Sequence, residues 1–216
     1  MIVSAEELER LLDEFRIPAG SDPALKLRTF LALLQKWNAR MNLTASTEWD
    51  ALGPLFAEGL WASGFYPVQS VQHLDIGSGA GFPGIPMRIM APQMKLAMVE
   101  SRAKRAYFLE NAASELGFAD LEVHQQRIDE FLRSSHEAWD CFSWKALRLA
   151  KEDLELLFGR AKPESRLWMF HGKEMALKEP AIAEDHLKLI RREKFDGRKE
   201  WRLSIYNPSL TFHVKH

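Results

Sequence analysis

The chain has 216 residues, of which 46% are hydrophobic, and this content is sufficient for one packed domain with an extension. Its net charge of −1 argues against a surface that coats nucleic acid over its whole extent, and its single cysteine excludes an internal disulfide. No apolar run approaches the ~20 residues that span a bilayer. The N-terminus has no basic start followed by an apolar stretch. We therefore expect a cytoplasmic protein without a secretory signal.

Residues 1–66 are predicted to form a helical extension. Ser21-Asp22-Pro23 is typical of a helix start, and a long helix follows it. A shorter helix is predicted near residues 50–62. The apolar face of the long helix recurs at helical spacing and consists of Leu27, Phe30, Leu31, Leu34, Trp37 and Met41. We interpret these faces as core and as the surface that docks on the rest of the chain.

A glycine-rich loop follows the first predicted strand, Val71–Ile76. Residues 75–86 read Asp-Ile-Gly-Ser-Gly-Ala-Gly-Phe-Pro-Gly-Ile-Pro. Glycines allow positive φ and a close approach of the backbone to a ligand. Pro83 and Pro86 fit the first turn of a helix, where their missing N–H groups would have no partner anyway. The segment predicts the strand, tight turn and helix start of a nucleotide-binding α/β unit.

Two cofactor classes use this kind of loop. Gly79–Gly84 matches G-x-G-x-x-G, the pattern of dinucleotide-binding proteins. Asp75 argues against a dinucleotide, because a carboxylate at this position repels a pyrophosphate on the helix N-terminus. A carboxylate suits the cationic end of S-adenosylmethionine better. We therefore interpret the loop as a methyl-donor site, whose predicted binding residues include Asp75, Gly77, Ser78, Gly79 and Gly81.

Glu100 is the second marker of a nucleoside site. It directly follows the predicted strand Lys95–Val99, at the place where an acid can accept both ribose hydroxyls. NAD enzymes have an acid at the same place, so its presence does not distinguish NAD from S-adenosylmethionine. The alternative role of Glu100 is a helix-start carboxylate favoured by the macrodipole.

Strands and helices alternate from Val71 onward, which predicts a mostly parallel sheet covered on both faces. The final two strands flank the turn signal Asp196-Gly197 and form an antiparallel hairpin. The further predicted strands are 121–125, 139–144, 166–170, 187–195 and 201–207, and the predicted helices are 101–116, 151–161 and 174–185. In such sheets, ligands bind beyond the carboxyl ends of the strands.

The chain resembles the bacterial small-subunit ribosomal RNA methyltransferases of the RsmG, or GidB, type. The glycine loop with its Phe-Pro-Gly-Ile-Pro continuation carries the resemblance, together with three further segments. These are Lys36–Thr44 (similar to the family's W-N-x-x-x-N-L-T signature), Val99–Leu109 and Arg127–Glu130. The resemblance implies a Rossmann-like class I methyltransferase fold with a seven-stranded sheet, in which residues 67–216 form the S-adenosylmethionine-dependent domain.

The resemblance also implies site residues. Gly77, Phe82, Ile128, Asp129 and Lys145 fall on the family's cofactor-binding positions. The loops after the first four strands add further candidates, which are Ser101, Arg127, Ser143 and Trp144. Asp129 is expected either to accept from the adenine amino group or to cap the helix starting near Glu130. Trp144 is expected in the core, and the alternative is stacking on a flipped base.

The chain departs from the family pattern on the substrate side. Lys145 and His171 stand where the family usually has arginine and lysine, and Leu55 and Glu58-Gly59 stand where it has histidine and aspartate-serine. A lysine at position 145 lacks the bidentate fork with which arginine binds phosphate or carboxylate. A histidine at position 171 carries a charge that depends on pH, unlike lysine. We name Lys145 and His171 as candidates that position the substrate, against the alternative of solvated loop residues.

Basic residues form two clusters in the sequence. Arg102, Lys104 and Arg105 share a predicted helix start, and the C-terminal cluster consists of Lys188, Arg191, Arg192, Lys194, Arg198, Lys199 and Arg202. Either a phosphate contact or a solvated face fits such clusters, because phosphate binding needs local rather than net positive charge.

The leading hypothesis is a methyltransferase that uses S-adenosylmethionine to modify guanine N7 of 16S ribosomal RNA, free or in an assembling small-subunit particle. The alternatives are a methyltransferase for another RNA or a small molecule, and a donor-binding regulatory module without catalysis. A nicotinamide-dependent enzyme is a more distant alternative. We expect no metal site and no membrane partner, and we take the protein to be a monomer.

Overall fold

The structure, a computed structural model, describes residues 5–69, 71–147, 149–172, 187–195 and 201–208. Seven helices and seven strands are assigned within these ranges. The helices are α1 (Ala5–Glu14), α2 (Asp22–Met41), α3 (Trp49–Ser63), α4 (Gly84–Met90), α5 (Ala103–Glu115), α6 (Ile128–Ser134) and α7 (Lys151–Phe158). The strands are β1 (Val71–Ile76), β2 (Met94–Val99), β3 (Leu121–His124), β4 (Trp139–Lys145), β5 (Ala161–Gly172), β6 (Leu187–Phe195) and β7 (Trp201–Pro208).

The strands form one seven-stranded sheet in the order β3-β2-β1-β4-β5-β7-β6. Strands β1 to β5 pair in parallel, and β7 runs antiparallel to both β5 and β6. This arrangement confirms the predicted Rossmann-like sheet with its antiparallel end. The strand order reverses beside β1, where β2 lies on one side and β4 on the other, and ligands bind at such a switch point.

Some predicted boundaries are wrong. The helix predicted to reach residue 161 ends at Phe158, because Gly159 caps it, and Ala161 already begins β5. The helix predicted to begin near Glu130 begins at Ile128. The predicted helix 174–185 lies outside the described residues. Among the helices that the structure describes, none combines the length and apolarity needed to cross a bilayer.

Each face of the sheet has its own core. On one face of the sheet, alternate residues of β1, such as Leu74 and Ile76, pack with α6 and α7. Trp144 of β4 is buried in the same core, as expected. The opposite face lies under α1 to α5. Cys141 is buried there, and burial raises the pKa of its thiol to about 12, as fits a core residue.

The N-terminal helices are built around the glycine loop. Ser21 caps α2, as predicted, and its hydroxyl accepts from the Ala24 N–H at 3.4 Å. The Phe82 ring at the end of the loop lies 5.2 Å from Phe30 of α2 and 5.1 Å from Phe56 of α3, measured between ring centroids. Aromatic pairs at this separation stabilise one another. The helices of residues 1–66 thus hold the loop from the outside, and the boundary at residue 66 stays a prediction.

Gly59 marks the close approach of α3 to α4. A Cβ atom there would lie 2.6 Å from Pro86 Cβ and 3.2 Å from the Pro83 carbonyl oxygen. We expect Gly59→Ala to destabilise the protein by about 1–3 kcal/mol, because overpacking outweighs the better helix propensity of alanine. Urea unfolding measures the change. Gly20→Ala is the control, since no atom lies within 4 Å of its added Cβ. Equal effects in the two variants would contradict the argument.

Candidate active site

A pocket of about 590 Å³ opens at the carboxyl ends of β1 to β4. Its volume lies within the ~300–1,000 Å³ of ordinary small-molecule sites. Nine of the predicted site residues line it, namely Gly77, Ser78, Gly79, Phe82, Glu100, Ser101, Arg127, Ile128 and Lys145. Three others, Asp75, Gly81 and Asp129, are absent from its lining. The structure thus brings most of the predicted residues together.

Several N–H groups of the glycine loop donate to other groups of the protein. Gly77 and Ser78 donate to the Val99 carbonyl at 2.8 and 3.3 Å, and Gly81 donates to the Ser78 carbonyl at 2.8 Å. Gly77 adopts a φ of +68°, which only glycine reaches without strain. A dinucleotide site instead aims loop N–H groups at the pyrophosphate. The geometry therefore favours a ligand without phosphates at this loop.

Glu100 joins the glycine loop to the start of α5. Its two carboxylate oxygens accept from the Gly79 N–H and from the Arg102 N–H, both at 2.9 Å. Each carboxylate oxygen has a second lone pair, so the side chain retains capacity for ribose hydroxyls. The two roles considered for Glu100, a helix-start acceptor and a ribose acceptor, are compatible in this geometry.

Asp75 is buried below the pocket, with only 1% of its surface exposed. Its Oδ1 accepts from Ser143 Oγ at 2.6 Å, Ser143 Oγ lies 2.8 Å from His73 Nε2, and His73 Nδ1 lies 3.0 Å from the Tyr66 hydroxyl. Because the Ser143 hydroxyl donates its hydrogen to Asp75, its oxygen accepts from His73 Nε2. His73 Nδ1 then carries no hydrogen and accepts from the Tyr66 hydroxyl. Asp75 therefore ends a buried hydrogen-bonded chain and does not present its carboxylate to the pocket.

Burial shifts the pKa values of two members of this hydrogen-bonded chain, Asp75 and His73. It raises the pKa of Asp75 to about 6, partly offset by the hydrogen bond from Ser143. Asp75 Oδ2 has no hydrogen-bond partner among the described residues. Burial also lowers the pKa of His73 to about 3, so the imidazole is neutral at physiological pH.

Asp129 lies at the pocket edge in two ion pairs. Its oxygens accept from Arg127 Nε at 3.0 Å and from Arg133 Nη1 at 2.7 Å. The hydrogen bond from Arg133 is the main reason that the pKa of Asp129 lies below its usual range. Arg127, and not Asp129, is the N-cap residue of α6, and Glu130 accepts from its N–H at 3.3 Å. The adenine contact predicted for Asp129 stays a prediction.

Lys145 ends β4 at the pocket, and its ammonium forms an ion pair with Glu58 of α3. The Glu58 side chain is 4% exposed and that of Lys145 is 25% exposed. Burial raises the pKa of Glu58, and the charge of Lys145 partly offsets this. Leu55, one turn earlier on α3, lines the same pocket. Three of the positions that depart from the family pattern therefore meet here.

His171 lies near the end of β5, where the sheet places it close to Lys145. The register pairs Lys145 with Phe170, and His171 follows on the same strand. The side chain of His171 lies outside the described residues, as do those of the C-terminal basic cluster. Their predicted roles stay predictions.

Comparison with known proteins identifies the family. A family model described as rRNA small subunit methyltransferase G, GidB, matches residues 24–193. The chain belongs to the GidB family. Two curated relatives named ribosomal RNA small subunit methyltransferase G are 33% identical over 153 residues (Geobacillus sp.) and 34% identical over 148 residues (Staphylococcus aureus). The matches cover 65% and 67% of this chain, which spans 61% and 62% of those relatives.

Solved structures show the same fold as this GidB protein. A ribosomal protein L11 methylase from Lactobacillus delbrueckii has a TM-score of 0.55 at 14% identity, and the match covers 72% of this chain and 79% of the other. An rRNA methylase from Streptococcus thermophilus has a TM-score of 0.52 at 14% identity, with 70% and 94% covered. At this identity, the likeness confirms the class I methyltransferase fold.

Sequence reasoning missed part of the GidB pocket. Its unpredicted lining residues include Thr44, Gln126, Ala146, Leu147, Leu149 and Asp153. Four of these follow the end of β4 and could have been found by extending the loop after that strand. Thr44 comes from the N-terminal helices, and only the tertiary structure brings it to the pocket.

The residues that line the GidB pocket suit S-adenosylmethionine. Glu100 offers an acceptor for ribose, and Ile128, Leu147 and Leu149 offer an apolar surface for a flat base. In the glycine loop, the N–H groups of Gly77, Ser78, Gly79 and Gly81 already donate to groups of the protein. These features suit a nucleoside with an amino-acid tail better than a dinucleotide.

Proposed function

We propose that this protein is a methyltransferase that uses S-adenosylmethionine to modify guanine N7 of 16S ribosomal RNA. The observation that carries the proposal is the pocket at the switch point of the sheet, where Glu100 and the glycine loop lie together, in a chain of the GidB family. The proposal places the enzyme in the cytoplasm with ribosomal RNA or an assembling small subunit as its partner.

The proposed reaction requires the protein to align the methyl donor with guanine N7 and does not require it to transfer a proton. S-adenosylmethionine supplies a methyl group on a positively charged sulfonium when bound. Guanine N7 has a free lone pair, so its attack needs no general base. Holding both partners in line supplies much of the rate. In this proposal Glu100 and Ile128 hold the donor, Lys145 lies between donor and substrate, and Asp75 acts by shaping the loop from below.

The deciding experiment compares modified guanines in small-subunit ribosomal RNA from cells with and without the gene. We expect one N7-methylguanine to disappear when the gene is deleted and to return with the wild-type gene. Purified protein should transfer a methyl group to the same position in vitro. An unchanged modification pattern would leave the two alternatives, another substrate or a regulatory donor-binding module.

Glu100 is the residue whose loss should reduce donor affinity most directly. We expect Glu100→Ala to weaken S-adenosylmethionine binding about 10- to 100-fold, because a charged acceptor for ribose and two backbone bonds are lost together. Calorimetric titration measures the change, with NAD as a second ligand that should not bind. Glu110→Ala, at an exposed position of α5, is the matched control. Unchanged donor affinity in Glu100→Ala would remove the ribose role.

A further inference from the structure

Two helices with solvent-exposed cations flank the mouth of the pocket. These are the C-terminal end of α2 and the N-terminal end of α5. We call the surface they form the α2–α5 face. Its residues are Lys36, Trp37, Arg40, Arg102, Lys104, Arg105 and Tyr107.

Aromatic packing joins the two helices of the α2–α5 face. The Trp37 ring centroid lies 5.5 Å from that of Tyr107 and 6.3 Å from that of Phe108. Tyr107 is nevertheless 53% exposed, so much of this side chain is accessible to solvent. An exposed ring held in place by a second aromatic ring is a stacking platform for a base.

The end of α2 is tied to the pocket. Asn42 caps the helix in the left-handed region, with a φ of 50°. The chain then turns back, and Asn38 Oδ1 accepts from the Thr44 N–H at 2.8 Å. Thr44 lines the pocket. The α2–α5 face is therefore continuous with the donor site.

The cations of the α2–α5 face are not neutralised by the described part of the chain. Lys36, Arg40, Arg102, Lys104 and Arg105 form no ion pair with any described residue, and Lys36, Arg40, Arg102 and Lys104 are exposed. Other arginines, such as Arg28 and Arg88, pair with acids. The face therefore carries a local positive charge that the net charge of the protein conceals.

Arg105 lies beside the glycine loop. Its Nη1 lies 3.7 Å from the position that a Cβ atom would take on Gly79, and the residue lines the pocket. A guanidinium offers a planar fork that matches a phosphate. Arg105 is placed to bind a phosphate at the point where a strand would pass the donor pocket.

We propose that the α2–α5 face binds a single-stranded segment of the RNA substrate, an inference that rests on the proposed function. Arg105 binds the phosphate nearest the reacting nucleotide, Arg40, Arg102 and Lys104 bind flanking phosphates, and Tyr107 stacks on a base. Cations beside an aromatic platform fit RNA better than an acidic protein, which has no bases to stack.

The test measures binding of a fluorescent single-stranded RNA from the small subunit over a range of salt concentrations. The charge-reversal variant Arg40→Glu/Lys104→Glu should bind at least about 10-fold more weakly, and Arg105→Ala should lower the slope of log affinity against log salt by about 0.7, the value for one lost phosphate contact. Tyr107→Ala should lose affinity about 5-fold or more, and Tyr107→Phe should retain it. Lys95→Glu is the control, since Lys95 is exposed at the start of β2, the end of that strand away from the pocket.

The outcomes separate this inference from the proposed function. Wild-type affinity in all the face variants, or equal losses in Lys95→Glu, would overturn the face as an RNA site even if the wild-type protein methylates RNA. Loss of donor affinity without loss of RNA affinity in Arg105→Ala would overturn its phosphate role. RNA binding that depends on the face without any guanine N7 methylation would support the face and contradict the proposed function. A wild-type protein that does not bind the single-stranded RNA would overturn the face, and the methylation assay would still decide the proposed function.

Discussion

Lys145→Met is expected to destabilise the protein by about 3 kcal/mol, because it leaves the buried Glu58 carboxylate without its cation. Urea unfolding at neutral pH measures the loss. Methyl transfer should fall as well, since Lys145 lies in the pocket. A residue that only positions the substrate would affect turnover much more than stability, whereas the ion pair with Glu58 predicts a large effect on both.

A second substitution separates the two effects. In Lys145→Met/Glu58→Met, no buried charge is left unpaired, so most of the lost stability should return. Turnover at saturating donor should stay low if Lys145 positions the substrate. Donor affinity, measured alongside turnover, separates a donor contact from a substrate contact. Recovery of full turnover in the double variant would show that Lys145 serves only the fold, and an undiminished stability of the single variant would show that the ion pair contributes little.

Acidification should have two opposing effects on stability through the buried chain from Tyr66 to Asp75. The pKa of His73 is lowered to about 3, so its contribution to stability is complete above pH 6.5 and is lost as the pH falls and the unfolded state takes up the proton. The pKa of Asp75 is raised to about 6, so the folded state takes up this proton first and gains stability as the pH falls from about 6 towards 3.8. In the wild-type protein the two trends largely cancel between pH 6.5 and about 5.

Removing either group exposes the other trend. Between pH 6.5 and about 5, the unfolding free energy of Asp75→Asn should fall by about 1–2 kcal/mol, and that of His73→Gln should rise by about 1 kcal/mol. Urea unfolding at several pH values gives both slopes. The prediction concerns these slopes, so the constant cost of each substitution does not obscure it. Two variants with the same slope as the wild-type protein would contradict the perturbed pKa values.

The local patterns of the chain were sufficient to predict the elements of the fold. Val71–Ile76 was predicted with its observed bounds, because a run of this length that ends at a glycine-rich loop is a strong local signal. The predicted end of α7 lies too far along the chain, because Gly159 is the C-cap residue and Ala161 already belongs to β5. Glu100 and the loop at Gly77 were found for the same reason as β1, because their signals lie within a few residues of one another.

The side-chain partners were decided by the tertiary structure. The alternating pattern of β1 places Asp75 on the face that α3 and α4 cover, so a carboxylate expected in the pocket is buried beneath it, bonded to a serine 68 residues away in the chain. Glu58 and Lys145 are 87 residues apart, and the local sequence around either residue does not predict its partner.

By itself, the amino-acid sequence determined the order of strands and helices, the glycine loop and the acid after β2, because backbone preference and hydrophobic periodicity act over short stretches. Only the tertiary structure decided which polar groups face the pocket, which are buried, and which cations stay exposed beside it. Those properties depend on sheet register and helix docking, which join residues far apart in the chain.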